Sequence, residues 1–158
     1  MENIVIFCAH SDDSEISLGG TILKYSKKYG IIKVIYSAGE MSSPHLKQSH
    51  IIGERIKETE RISRKMGVKE NIYFHLIDQK LSKFADDEGV LNKTKEIMQK
   101  YKPKKIFILT PIDPHHDHRA TNRIVMNVVK QINYKGEIYG YEVWNVIKLN
   151  EPLVYEDI

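Results

Sequence analysis

Twice along this chain an unbroken apolar run ends abruptly in a cluster of histidine and aspartate, and each cluster leads into a segment with helical spacing. The first run is Ile4 to Ala9, followed by His10, Ser11, Asp12, Asp13 and Ser14. The second is Lys105 to Thr110, followed by Pro111-Ile112-Asp113-Pro114-His115-His116-Asp117-His118. Apolar runs without period-2 alternation, rich in β-branched residues, suit strands buried on both faces. Such strands belong to parallel sheets covered by helices, where ligands bind in the crevice at the carboxyl ends of the strands. Both clusters therefore fall where a site would be built.

The rest of the chain fits the same plan. Ile16, Leu18, Ile22, Leu23 and Tyr25 supply a helix ending near Gly30, in which Gly19-Gly20 is expected to let the helix pack closely on the sheet. A strand follows at 31–36, then a polar loop at 41–50 and an amphipathic helix at 51–66 with Gly67 as its C-terminal cap. A third strand is expected at 72–76, a loop at 78–87, and a helix at 91–101 stopped by Pro103. Ile124, Val125, Val128, Val129 and Ile132 mark a helix over 119–132, and 138–144 alternates as a last strand, with irregular chain after it. Alternation of strand and helix predicts an α/β fold: a Rossmann-like, doubly wound, mostly parallel sheet with helices on both faces. The first strand then neighbours the fourth, which brings the two clusters together. Leu18-Gly19-Gly20 lacks the G-x-G-x-x-G spacing, so a dinucleotide cofactor is not expected.

At 158 residues the chain is read as a single domain with a core of its own. The net charge of +3 is spread along the chain, and its lysine-rich stretches read as solvated helix ends and turns with no aromatic-plus-basic motif, so nucleic-acid binding is not expected. Cys8, the one cysteine, lies inside the first strand and reads as a small buried hydrophobe. With no disulfide, no signal peptide and no apolar run of membrane-spanning length, the expected location is the cytoplasm.

Two histidines and one carboxylate drawn from these clusters would leave an open position on zinc, the arrangement of a catalytic site and not of a closed structural one. Bound water then loses much of its pKa and a nearby carboxylate can take its proton. A histidine outside the metal shell could stabilise the oxyanion or protonate a leaving group. Serine and aspartate also cap helices, so a purely structural role for one of these carboxylates is the competing view.

Ala9-His10-Ser11-Asp12-Asp13 resembles the A-H-P-D-D motif of the LmbE-like (PIG-L) family of zinc-dependent N-acetylglucosamine deacetylases. Pro114-His115-His116-Asp117-His118-Arg119 resembles that family's H-x-D-H motif. Further matches are Leu18-Gly19-Gly20-Thr21, Ser37-Ala38-Gly39-Glu40, the helix carrying Arg55, Glu58 and Gly67-Val68, and Tyr141-Glu142-Val143-Trp144. The resemblance implies that His10, Asp13 and His118 bind zinc and that Asp12 is the general base. It further implies that His115 is the electrostatic stabiliser or acid, that Asp117 orients and tunes it, and that Arg55 contacts substrate. The implied reaction is hydrolysis of the N-acetyl amide of a glucosamine unit in a small molecule or glycan, releasing acetate. Iron(II) would be accepted by the same ligands.

Three departures bear on that expectation. Ser11 replaces the usual proline, Ser14 stands where the family commonly has glutamate, and the chain stops at Asp157-Ile158, where members usually continue. A substrate-covering wall is then expected to be missing or supplied by a second copy of the chain in a homo-oligomer. The loops 41–50 and 79–87 are expected to set the choice of acceptor. Competing functions are a metallophosphoesterase, which would need more bridging carboxylates, and a catalytically impaired carbohydrate-binding protein.

Overall fold

A computed structural model of the protein describes residues 1–144, 154 and 156–158. Five strands form one sheet in the order β3-β2-β1-β4-β5, every neighbouring pair parallel. The strands are β1 (Asn3–Cys8), β2 (Gly30–Ile35), β3 (Glu70–Tyr73), β4 (Lys105–Leu109) and β5 (Glu137–Tyr141). The helices are α1 (Asp13–Tyr25), α2 (Gln48–Met66), α3 (Glu88–Tyr101) and α4 (His116–Gln131). Helix α1 touches α2, and α3 packs on α4, as right-handed crossovers on the two faces of a doubly wound sheet require. The α/β expectation holds, and the sheet is wholly parallel among the described residues.

β1 lies between β2 and β4, and every residue from Ile4 to Ala9 is buried. The central strands have helices on both sides, which is why their sequences do not alternate. β2 buries even Lys33, whose ammonium pairs with Glu15 of α1; Ser14 donates to the same carboxylate at 2.8 Å. A buried charge requires such a partner. Cys8 is fully enclosed, and burial pushes its thiol up to about 12.

Several boundaries differ from the sequence reading. β3 ends at Tyr73, not at Leu76, and β5 ends at Tyr141, not at Trp144. Beyond β3 the chain still bonds to β2 through Phe74 N–H to Ile35 O and Leu76 N–H to Tyr36 O, but His75 turns left-handed (φ 58°) and breaks the strand. α2 begins at Gln48 and α4 at His116, three residues earlier than expected in each case, so His118 falls in the first turn of α4. Gly67 closes α2 at φ 74°, as the capping argument predicts. The two glycines of α1 do not face the sheet. Gly19 points at Met66 of α2, and a side chain on Gly20 would strike Ile158, so Gly20 makes room for the C-terminal residues. The expected irregular chain after Trp144 falls mostly on residues outside the described set.

Candidate active site

Both clusters reach the carboxyl edge of the sheet and face one another. Asp12 is the N-terminal flanking residue of α1, yet its side chain caps nothing. Asp13 accepts the His10 backbone N–H at 2.9 Å. At the start of α4 the cap is His115 and not Asp117: His115 Nδ1 accepts the Asp117 N–H at 3.2 Å. The structural reading of the aspartates as ordinary helix caps is therefore not what the chain does.

The imidazoles of His10, His115 and His118 cluster, with ring centroids 4.9 Å apart for His10–His115, 4.7 Å for His115–His118 and 5.4 Å for His10–His118. Their ring nitrogens lie within 4.8 Å of one another, as do donor atoms of His10, Asp78 and Asp117. Asp13 Oδ1 is 3.3 Å from His118 Nε2 and 3.8 Å from His10 Nδ1. Asp113, fully buried, places Oδ2 3.1 Å from His118 Nδ1, and its Oδ1 accepts the His115 N–H at 2.8 Å.

His118 is fully buried, and neither ring nitrogen is aligned for a hydrogen bond, although carboxylate oxygens are close. Burial disfavours a charged His118, but Asp13 and Asp113 outweigh it and raise its pKa. Burial also lowers the pKa of His10; contacts with Asp117, Asp13 and Asp78 reverse this and raise it to about 12. Asp13 is held well below the usual carboxylate range by His10 and His118, against the effect of burial. His115 is shifted down by burial and by the charges of His10 and His118. A buried imidazole facing a carboxylate without a hydrogen-bond partner, as His118 is, with His10 beside it, fits a borderline cation such as zinc or iron(II).

A cleft of about 230 Å³ opens over this cluster. His10, Asp12, Asp13, Arg55 and His115 line it, while Asp117 and His118 lie behind, fully buried. Arg55 of α2 donates to Asp12 Oδ2 at 2.9 Å and to Ser42 Oγ at 3.3 Å. Ser42 and Gln79 also line the cleft, so both loops singled out from sequence reach it. Ile16, Val143 and the exposed Trp144 complete its apolar side.

The carboxylate of Asp117 does not touch His115. It accepts the Gln79 N–H at 2.7 Å and the Leu81 N–H at 3.1 Å, and approaches His10 Nε2 at 3.4 Å. The hydrogen bond between Asp117 and His115 runs through the Asp117 main-chain N–H. Sequence reasoning gave no role to Asp78, Asp113 or Glu40. Asp78 follows the third apolar segment at its carboxyl end, so the strand-end rule that flagged His10 and His115 would have flagged it too.

Residues 5–129 match the sequence model of the GlcNAc-PI de-N-acetylase (PIG-L) family. The chain belongs to this family. The match takes in both clusters and Arg55. Among solved structures, N,N'-diacetylchitobiose deacetylase from Pyrococcus horikoshii superimposes with a TM-score of 0.77 at 26% identity, covering 89% of this chain and 60% of that one. The conserved protein TT1542 from Thermus thermophilus superimposes at 0.74 with 22% identity, over 98% of this chain and 69% of that one. The 4-carboxy-2-hydroxymuconate hydratase GalB of Pseudomonas putida KT2440 gives 0.74 at 18% identity, over 81% of this chain and 55% of that one. The last two likenesses concern the fold alone. This PIG-L chain spans 55% and 60% of the lengths of the hydratase and the chitobiose deacetylase.

Proposed function

We propose that this chain is a single-domain, metal-dependent N-deacetylase that hydrolyses the N-acetyl amide of an N-acetylglucosamine-containing small molecule or glycan. The observation that carries this is the fully buried His118, whose Nε2 has no hydrogen-bond partner and lies 3.3 Å from Asp13, beside an Asp12 that caps nothing and a capping His115. Family membership and the named activity of the Pyrococcus horikoshii neighbour support the same reading. His10, Asp13 and His118 would hold the metal, zinc in the first instance. When bound, it would supply Lewis acidity, lowering the pKa of water toward 7 and polarising the amide carbonyl.

This chain's own residues do the rest. The Asp12 carboxylate is half-exposed, is not used as a cap, and is aimed by the Arg55 guanidinium, so it can take a proton from the attacking water. Because His115 Nδ1 accepts the Asp117 N–H, the ring proton sits on Nε2, which donates to the oxygen that becomes negative. The lowered pKa of His115 suits a neutral donor of this kind. As water oxygen bonds to the carbonyl carbon and the C–N bond breaks, Asp12 passes its proton to the amine. Arg55, with Ser42 beside it, contacts the sugar. A cytoplasmic location belongs to the same proposal, in keeping with the free thiol of Cys8, and cell fractionation checks it.

Acetate release from a panel of N-acetylglucosamine derivatives, by the zinc-loaded chain and by Asp12→Asn in parallel, tests the reaction. Release by the parent and not the variant is expected. Equal release by both would remove Asp12 as base. No release by the zinc-bound parent on any derivative would leave a carbohydrate-binding protein as the better account.

A further inference from the structure

One buried carboxylate in the cleft, Asp78, has no part in the proposed reaction. It lies in the loop after β3, and its Oδ1 is 3.1 Å from His10 Nε2. Its Oδ2 accepts the Met41 N–H at 2.9 Å, and its own N–H donates to Glu40 Oε1 at 2.9 Å. Glu40 is held in turn by the Ser37 hydroxyl at 3.2 Å. Asp78 is thus tied to the loop that follows β2. The chain reaches it through His75 and leaves it through Gln79, both left-handed at φ 58° and 60°. That conformation costs an ordinary residue roughly 1–2 kcal/mol, so tertiary hydrogen bonds hold this loop in place.

His10 offers two ring nitrogens with different surroundings. Nδ1 faces Asp13, which meets the unpartnered Nε2 of His118. Nε2 faces Asp78 at 3.1 Å and Asp117 at 3.4 Å. Donors converge on either side: His10, Asp78 and Asp117 on one, and on the other Asp13, 3.3 Å from His118 Nε2 and 3.8 Å from His10 Nδ1. Hydrogen bonding separates them. Both oxygens of Asp117 already accept backbone N–H groups, and Asp78 Oδ2 accepts a third. On the other side, buried His118 Nε2 has nothing.

We propose, building on the metal reading above, that Asp78 is a positioning residue: it accepts the Nε2–H of His10 and so turns the Nδ1 lone pair toward Asp13, His118 and the metal. A carboxylate on the far nitrogen of a ligating histidine fixes its tautomer and ring orientation. Asp117, more distant and already occupied by two amides, is the lesser partner.

Zinc dissociation constants of the full chain, measured by chelator competition for the parent, Asp78→Ala and Asp78→Asn, test this, with visible spectra of the cobalt(II)-substituted proteins. Asp78→Ala is expected to weaken zinc binding ~10–100-fold, as loss of such outer partners does. Asp78→Asn keeps an oxygen that can accept from Nε2–H and should recover most of the loss. The cobalt bands should keep their positions in all three. Affinity within twofold of the parent in Asp78→Ala overturns the proposal, and so does a changed cobalt spectrum, which would make Asp78 a ligand. Histidine ¹⁵N shifts of the zinc-loaded parent give a readout that needs no variant: a protonated Nε2 and a coordinated Nδ1 on His10 are expected, and the reverse assignment overturns it. A parent that binds no zinc overturns the metal reading itself, a failure distinct from the two above.

Discussion

The two edges of the sheet each carry a cavity, and the larger one holds the less reactive chemistry. At the amino edge a hollow of about 460 Å³ is lined by Met98, Pro103, Ile132 and Tyr134, with Lys102 and Lys135 as its charged groups. At the carboxyl edge the cleft is about 230 Å³, and His10, Asp12, Asp13 and His115 line it with His118 and Asp117 directly behind. Volume does not distinguish a site here. What distinguishes it is the concentration of desolvated ionisable groups, with both ring nitrogens of His118 lacking a hydrogen-bond partner. Left-handed residues mark the same contrast. At the amino edge Lys102 and Asn133 close helices, whereas His75 and Gln79 at the carboxyl edge bend a loop into the cleft.

The sharpest way to break this comparison is His118→Ala. Loss of this proposed ligand should cut zinc affinity by more than the roughly 100-fold upper range for outer partners, and abolish measurable deacetylation. Metal content equal to the parent's would remove His118 from the ligand set. Asp12→Asn comes next: metal content should be unchanged while turnover falls ~10²–10⁴-fold, the usual contribution of a general base. A parallel loss of metal would mean that Asp12 ligates. In His115→Ala a fall in kcat of ~10²–10³-fold is expected from loss of one oxyanion donor, again with metal retained. Full activity would take His115 out of the reaction.

The smallest effect should come from the other edge. Lys102, left-handed at φ 42°, ends α3, and glycine accepts that conformation without a Cβ penalty. Lys102→Gly should stabilise the fold by about 0.5–1 kcal/mol, visible as a small rise in Tm, and leave zinc affinity and turnover as they are. A change in turnover would mean that the two edges are coupled, and the contrast between them would lose its force.

Much of the site was legible because its residues sit in two short segments at strand ends. His10, Asp12 and Asp13 follow β1 directly, and His115 to His118 open α4, so a parallel sheet with β1 beside β4 was enough to bring them together. Asp78 escaped because the apolar segment before it is short and its partner His10 lies 68 residues away. Asp113 escaped because the turn between Thr110 and His116 has no periodicity from which an inward direction could be read. The role of Gly20 was misread because its neighbour, Ile158, is at the far end of the chain.

The sequence by itself determined the strand–helix alternation, the burial of β1, β2 and β4, the place of both polar clusters and the closing of α2 at Gly67. Those follow from local periodicity, capping and the two-sided burial of parallel strands. Tertiary structure alone decided which His10 nitrogen faces which carboxylate, that His115 caps α4 while Asp117 reaches the 79–81 loop, and where β3 stops. Such choices depend on which backbone N–H groups remain to be satisfied once the loops have met, and no local pattern encodes that.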